Sequence, residues 1–276
     1  MNNPWLHLRS ARDDEIPLFA SSLLIARDEY PTLADADYEA RLRQFARRLR
    51  RFVDRDQPPA TQLRTLNNFL FDELGFSGDD QDYYDPRNSY LNDVIDCRLG
   101  NPISLAVVQM ELARRLELPL QGVSFPGHFL VRLPLEEGIV VLDPFQKGRS
   151  LDAAELRRRA RTHLDMQDID DQRLARMLEP ASTRAILSRM LRNLKSVYCE
   201  REQWDKALRC CDRLLTVDSH QPSEYRDRGK LYLKLGHSRA ARDDLQRYLA
   251  LVPQADDAEA IGLELAELGT DLPRIN

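Results

Sequence analysis

Two stretches near the end of the chain, "LKSVYCEREQWDKALRCCDRLL" and "RGKLYLKLGHSRAARDDLQRYL", restrict its architecture more than any other feature. Leu194, Tyr198 and Ala207 of the first lie 34 residues before Arg228, Tyr232 and Ala241 of the second, and two of these three pairs are identical. The second stretch adds Gly229 ahead of its tyrosine, Gly236 in the turn between its helices, and Pro253 after them. A 34-residue period of this kind describes a helix-turn-helix unit that buries its apolar face only by stacking on a neighbour. Ala207 and Ala241 stand where two helices cross closely, and the tyrosines fill the space between units. Only about two units fit, fewer than the three or so that stand alone. The array is therefore expected to lean on the preceding helix, Ala181 to Arg192, or on the rest of the chain. An unrelated helical tail is the competing description.

Upstream the apolar spacing is helical first and extended later. Asp14 to Glu29 carries Ile16, Phe19, Leu23 and Ala26 at helical spacing and stops before Pro31. Tyr38 to Val53 does the same with Leu42, Phe45, Leu49 and Phe52, and Ala60 to Leu74 ends at Gly75. Residues 77–92 show no apolar period and are expected to form a long surface loop leading to a short helix, Ser89 to Arg98. Asn101 and Pro102 form a helix start, an N-cap followed by proline at the first helical position, and the helix is expected to reach about Leu116. Then "LQGVSF", "HFLVRL" and "GIVVLDPF" read as strands, the last two as a hairpin. Strands that follow helices instead of alternating with them indicate an α+β core. The expected domains are residues 1–180 and an all-α region over residues 181–276.

Composition narrows the function classes. Hydrophobic residues make up 42% and charged residues 31%, a globular balance, with a net charge of −5. The basic run "RLRQFARRLRRFVDR" has interleaved apolar positions and is expected to be a solvated amphipathic face, so neither a nucleic acid nor an anionic membrane is an expected partner. No signal peptide and no spanning segment of about 18 apolar residues is visible, which makes a cytoplasmic location the expectation. Cys97, Cys199, Cys210 and Cys211 are expected to be reduced thiols; no CxxC occurs, and no metal or cofactor is implied.

Three elements bear on chemistry: the helix start at Pro102, His128 at the head of one strand, and Asp143 at the end of the next. With a two-residue turn at Leu135 and Glu136, Pro134 faces Glu137 and His128 faces Asp143. Their side chains would then share one face about 5 Å apart at Cβ. A carboxylate there orients an imidazole and stabilises its protonated form, as a base-activating pair requires.

The strings "EYP" (29–31), "YYDPRNSYLNDVI" (83–95), "RLGNPISLAVV" (98–108), "FPGHFLVRL" (125–133) and "LDPFQKG" (142–148), followed by the repeats, resemble the transglutaminase-like superfamily. Within it they resemble the bacterial branch in which that core precedes tetratricopeptide repeats, the Sir-B-type regulator family. The resemblance implies a papain-like core with a cysteine at a helix N-terminus, a histidine on one strand and an aspartate on the next. His128 and Asp143 match the latter two, whereas Pro102 stands where the thiol would be. Ser104 lies about 200° around the helix from Pro102, and Cys97 reaches the pair only if the turn folds back.

Three functions compete at this stage. A non-catalytic interaction or regulatory protein would keep His128 and Asp143 as a structural pair. An amide or ester hydrolase or acyl transferase would use Ser104 or Cys97 as nucleophile, His128 as base and Asp143 as its orienting group. A peptide-binding repeat would use a groove that includes Tyr198 and Tyr232.

Overall fold

The computed structural model describes residues 4–165 and 168–270. By contacts the chain forms two compact units, residues 12–190 and a second unit that joins the N-terminal segment to the residues from 191 onward.

In the first unit, helices α2 (Leu18–Arg27), α3 (Asp35–Leu49) and α4 (Pro59–Asn67) follow the expected apolar spacing; the short helix before them, α1 (Pro4–Ser10), belongs to the second unit. Pro17 separates α2 from a 3-10 turn at Asp13–Glu15, so the first expected helix is split. After α4 the chain widens into a π-helix, Asn68–Glu73, and Gly75 at φ +75° closes it where a side chain would be strained. Helix α5 (Leu91–Cys97) is followed by α6 (Pro102–Arg115), around which the others pack. Every residue from Asn101 to Ala113 is buried, as befits a helix covered on all sides. Its start is set by local chemistry: the Asn101 side chain accepts from the Ser104 N–H at 3.0 Å, and Pro102 occupies the first turn.

Residues 77–92 differ from the expected surface loop. Ser77–Gly78 (β1) pairs in parallel with Leu99–Gly100 (β2), and Asn88, Ser89 and Tyr90 are buried. Their polarity is satisfied internally: the Asn88 amide donates to the Asp82 carbonyl at 2.8 Å, and the Asn101 amide to the Ser89 hydroxyl at 2.8 Å. Polar sequence with such partners need not face water.

Four antiparallel strands follow, β3 (Gln121–Val123), β4 (Leu130–Leu135), β5 (Gly138–Asp143) and β6 (Arg149–Leu151), in that spatial order. Helices α7 (Ala153–Leu164) and α8 (Asp171–Met177) cover the sheet, packing Leu156, Ala160 and Leu174 on Val123, Leu130 and Val141. The hairpin register corrects the sequence expectation. Leu135 pairs with Gly138 and Pro134 with Ile139, so the turn is Glu136–Glu137 and the pairing lies two residues from the expected one. Neither glutamate has a positive φ, while Gly138 sits at φ +98°. The left-handed residue that matches the turn to the sheet's twist therefore falls on glycine, one position after the turn.

The second unit contains the end of α9 (Thr183–Glu200), then α10 (Trp204–Val217), α11 (Pro222–Lys234), α12 (Ser238–Leu251) and α13 (Ala258–Thr270). The 34-residue period corresponds to the helix pairs α9–α10 and α11–α12. Ala207 and Ala241 are fully buried, and a Cβ on Gly229 would meet Leu245 at 2.8 Å, so close helix crossing accounts for all three small residues. The two-repeat array is extended by α1, whose Trp5 is 3% exposed and lies 4.9 Å beneath the Arg213 guanidinium.

Candidate functional site

Asp143 ends β5 fully buried. One carboxylate oxygen receives His128 Nε2 at 2.8 Å and the Phe145 backbone N–H at 3.1 Å; the other receives Arg159 Nη1 from α7 at 2.8 Å. Burial pushes this carboxyl up, but the bonds and charges of His128 and Arg159 outweigh it and hold the pKa below the usual carboxylate range.

The register places Leu130, not His128, level with Asp143, one step beyond the Val131–Leu142 pair. His128 precedes β4 in a turn where Gly127 adopts φ +68° and the His128 N–H donates to the Phe125 carbonyl at 3.1 Å. Freed from the pleat, the ring reaches diagonally to the carboxylate and remains 22% exposed. Its edge meets Phe145 at 6.3 Å, Phe145 meets Tyr83 at 5.6 Å, and Tyr83 meets Tyr84 at 5.2 Å. Gly78 makes room for this line of rings, since a Cβ there would lie 2.5 Å from Phe145.

The two proposed nucleophiles are not brought to the imidazole. Ser104 is fully buried and its hydroxyl donates to the Asn88 carbonyl at 2.6 Å, with the Asn101 carbonyl at 3.1 Å. Cys97 is exposed at the end of α5. Among the described residues the hydrogen bond of the His128 ring goes to Asp143 alone. Pro102 is buried at the start of α6. A cavity of about 680 Å³ lies between α2, α6 and β3, lined by Phe19, Val107, Met110 and Leu120, and none of these chemical residues borders it.

Three components of this site were missed by sequence reasoning. Arg159 sits in an arginine run whose spacing points only to Glu155, four residues earlier, with which it also pairs at 2.9 Å. Phe145 and Tyr83 lie within strings that carried the family resemblance, but nothing local indicated that their rings would meet.

Residues 36–192 match the family described as "Transglutaminase-like superfamily", and residues 194–266 match "Tetratricopeptide repeat". The chain belongs to the transglutaminase-like superfamily. A "UPF0162 protein" of Xylella fastidiosa is 50% identical over 267 residues, spanning 97% of this chain and 95% of its own length. A UPF0162 protein of Pseudomonas aeruginosa is 33% identical over 257 residues, 93% of each chain. "Protein SirB1" of Salmonella typhimurium is 27% identical over 256 residues, spanning 90% of this chain and 89% of its own length. The transglutaminase-like match thus contains both His128 and Asp143, and the α+β core followed by a helical repeat region is the architecture found.

In the tetratricopeptide region of this superfamily member, Tyr198 is 3% exposed and serves packing, whereas Tyr232 is only half-buried. Arg228, which stands where the first repeat has Leu194, pairs with Asp212 at 2.8 Å and Asp244 at 2.6 Å and lies 5.9 Å from the Tyr232 ring. Burial pushes the Cys211 thiol up, which leaves it a core residue without thiolate character. No helix among the described residues is long and apolar enough to cross a membrane.

Proposed function

We propose that this member of the transglutaminase-like superfamily is non-catalytic and acts as a protein-interaction or regulatory factor in the bacterial cytoplasm, with its tetratricopeptide repeats engaging a protein or peptide. The functional division follows the two parts read from sequence, residues 1–180 and 181–276. One observation carries the proposal: His128 has its carboxylate, yet the hydroxyl nearest the expected nucleophile position, Ser104, is committed to two backbone carbonyls. Pro102 offers neither a nucleophile nor a backbone donor there. The pair then orders the end of the sheet and joins it to α7 through Arg159. The repeats support the interaction half of the proposal, because stacked helix pairs present extended surfaces suited to peptides.

The test is an electrophilic acyl probe reactive toward serine and cysteine, applied to the full chain and followed by mapping of adducts. The expected result is no adduct at Ser104 or Cys97 that depends on His128. An adduct at either residue that disappears in His128→Ala would establish acyl chemistry and overturn the proposal.

A further inference from the structure

Arg189, on α9 within the first unit, is a half-buried cation that meets no anionic partner among the described residues. Its Nη1 donates to the Phe125 carbonyl at 3.2 Å, and its guanidinium lies 5.8 Å from the Phe129 ring centroid. Among the described residues no carboxylate stands within ion-pair distance of it. The remaining N–H groups of its fork make no hydrogen bond among those residues. Burial depresses its pKa, and among the described residues the Tyr83 phenol is the group whose charge opposes this. A desolvated guanidinium without a counter-charge is unfavourable, and a ligand anion would remove that penalty.

Its surroundings belong to the His128 site. The Phe125 carbonyl that holds Arg189 also accepts the His128 backbone N–H, so the two residues hang from one oxygen. Burial, then Tyr84, push the Tyr83 phenol up, with Arg189 opposing and Asp143 adding to it, and the phenol makes no hydrogen bond among the described residues. Its ring is 43% exposed and continues through Phe145 to His128. Asp143 does not neutralise Arg189, because its own charge is matched by Arg159 at 2.8 Å. What remains is one unmatched positive charge, a free hydroxyl and an aromatic wall.

We propose that Arg189 and the Tyr83 hydroxyl bind a carboxylate-bearing ligand whose adjoining group is aromatic or apolar and packs along Tyr83, Phe145 and the open edge of His128. One unmatched charge suits a monoanion, and the planar fork of arginine suits a carboxylate. The ligand is a free carboxylic acid or the C-terminal residue of a peptide, which share this chemistry. The inference goes beyond the absence of turnover proposed above: it is read by binding, whereas turnover is read by covalent labelling, so either can fail alone.

The experiment titrates the full chain with N-acetyl-phenylalanine and with a tripeptide ending in phenylalanine, each beside its C-terminal amide. His128 and Tyr83 ring resonances are followed by NMR. At least one acid is expected to give saturable shifts, and which acid binds more tightly distinguishes a small acid from a chain end; the amides are expected to give none. Arg189→Gln is expected to weaken binding by at least about tenfold, as for loss of a desolvated charge pair, and Tyr83→Phe by about fivefold. Should Arg189→Gln fail to fold, Arg189→Lys keeps the charge without the fork and is expected to show a smaller but definite loss. Amides that bind as well as the acids, acids that shift neither ring, or a folded Arg189 variant with parental affinity would each overturn the proposal.

Discussion

Among the described residues the most deeply buried carboxylate of each unit is Asp143 in the transglutaminase-like part and Glu224 in the repeats, at 0% and 1% exposure. Around Glu224 the partners are Arg192 at 2.9 Å and Lys195 at 2.6 Å, with Lys195 also reaching Asp227 at 2.7 Å. These charges join α9 to α11 and match one another. Around Asp143 one partner is an imidazole that retains an open edge beside an unmatched arginine. A buried charge alone therefore says little about function. What separates the two clusters is whether a partner keeps capacity that no neighbouring group uses.

The comparison can be broken most directly by removing each carboxylate. Asp143→Ala removes the buried carboxylate shared by His128 and Arg159, leaving Arg159 with Glu155 alone, and is expected to cost about 3–5 kcal/mol, measured in urea by circular dichroism, because both tryptophans, Trp5 and Trp204, report on the repeat unit. Glu224→Ala should cost about 1–3 kcal/mol, followed by tryptophan fluorescence, since Asp227 still holds Lys195. Equal losses would mean that the clusters are energetically alike.

Acid sharpens the same contrast. The Asp143 carboxyl titrates lower in the folded chain than when unfolded. Its contribution is thus fully present above the ordinary carboxylate pKa and is lost as pH falls through the depressed value. Arg159→Met removes part of that depression, so the acid-unfolding midpoint of this unit should move to higher pH. A midpoint that does not move would assign the depression to His128.

Smaller effects follow. Ser104→Ala leaves the Asn88 carbonyl without its hydroxyl donor and should cost about 1 kcal/mol while leaving the acyl-probe result unchanged. Arg189→Gln gives up the bond to the Phe125 carbonyl but also relieves a desolvated charge, and should cost less than about 1 kcal/mol in the ligand-free chain, in contrast to Asp143→Ala, because no ion pair is lost; a large loss would show that Arg189 is structural.

How much of this was legible depended on range. The start of α6 was readable because Asn101 and Pro102 act within one turn, and the repeat was readable because Ala207 and Ala241 recur at a fixed period. The hairpin was recognised, but its register was placed two residues away, since "PLEEG" does not reveal that Gly138 and not the turn itself takes the left-handed conformation. Helix α1 was passed over because seven residues carry too little periodicity to announce a partner about two hundred positions away.

By itself the sequence determined an α+β core followed by stacked helix pairs, with a histidine and an aspartate on successive strands and a proline at the start of the central helix. These are consequences of caps, periods and residue chemistry that operate locally. Only the tertiary structure decided that His128 reaches Asp143 diagonally from a turn, that Ser104 is committed to the Asn88 carbonyl, that Arg159 matches the aspartate, and that Arg189 does not. Each of those outcomes depends on side chains from separate elements meeting in space, and no local preference encodes the meeting.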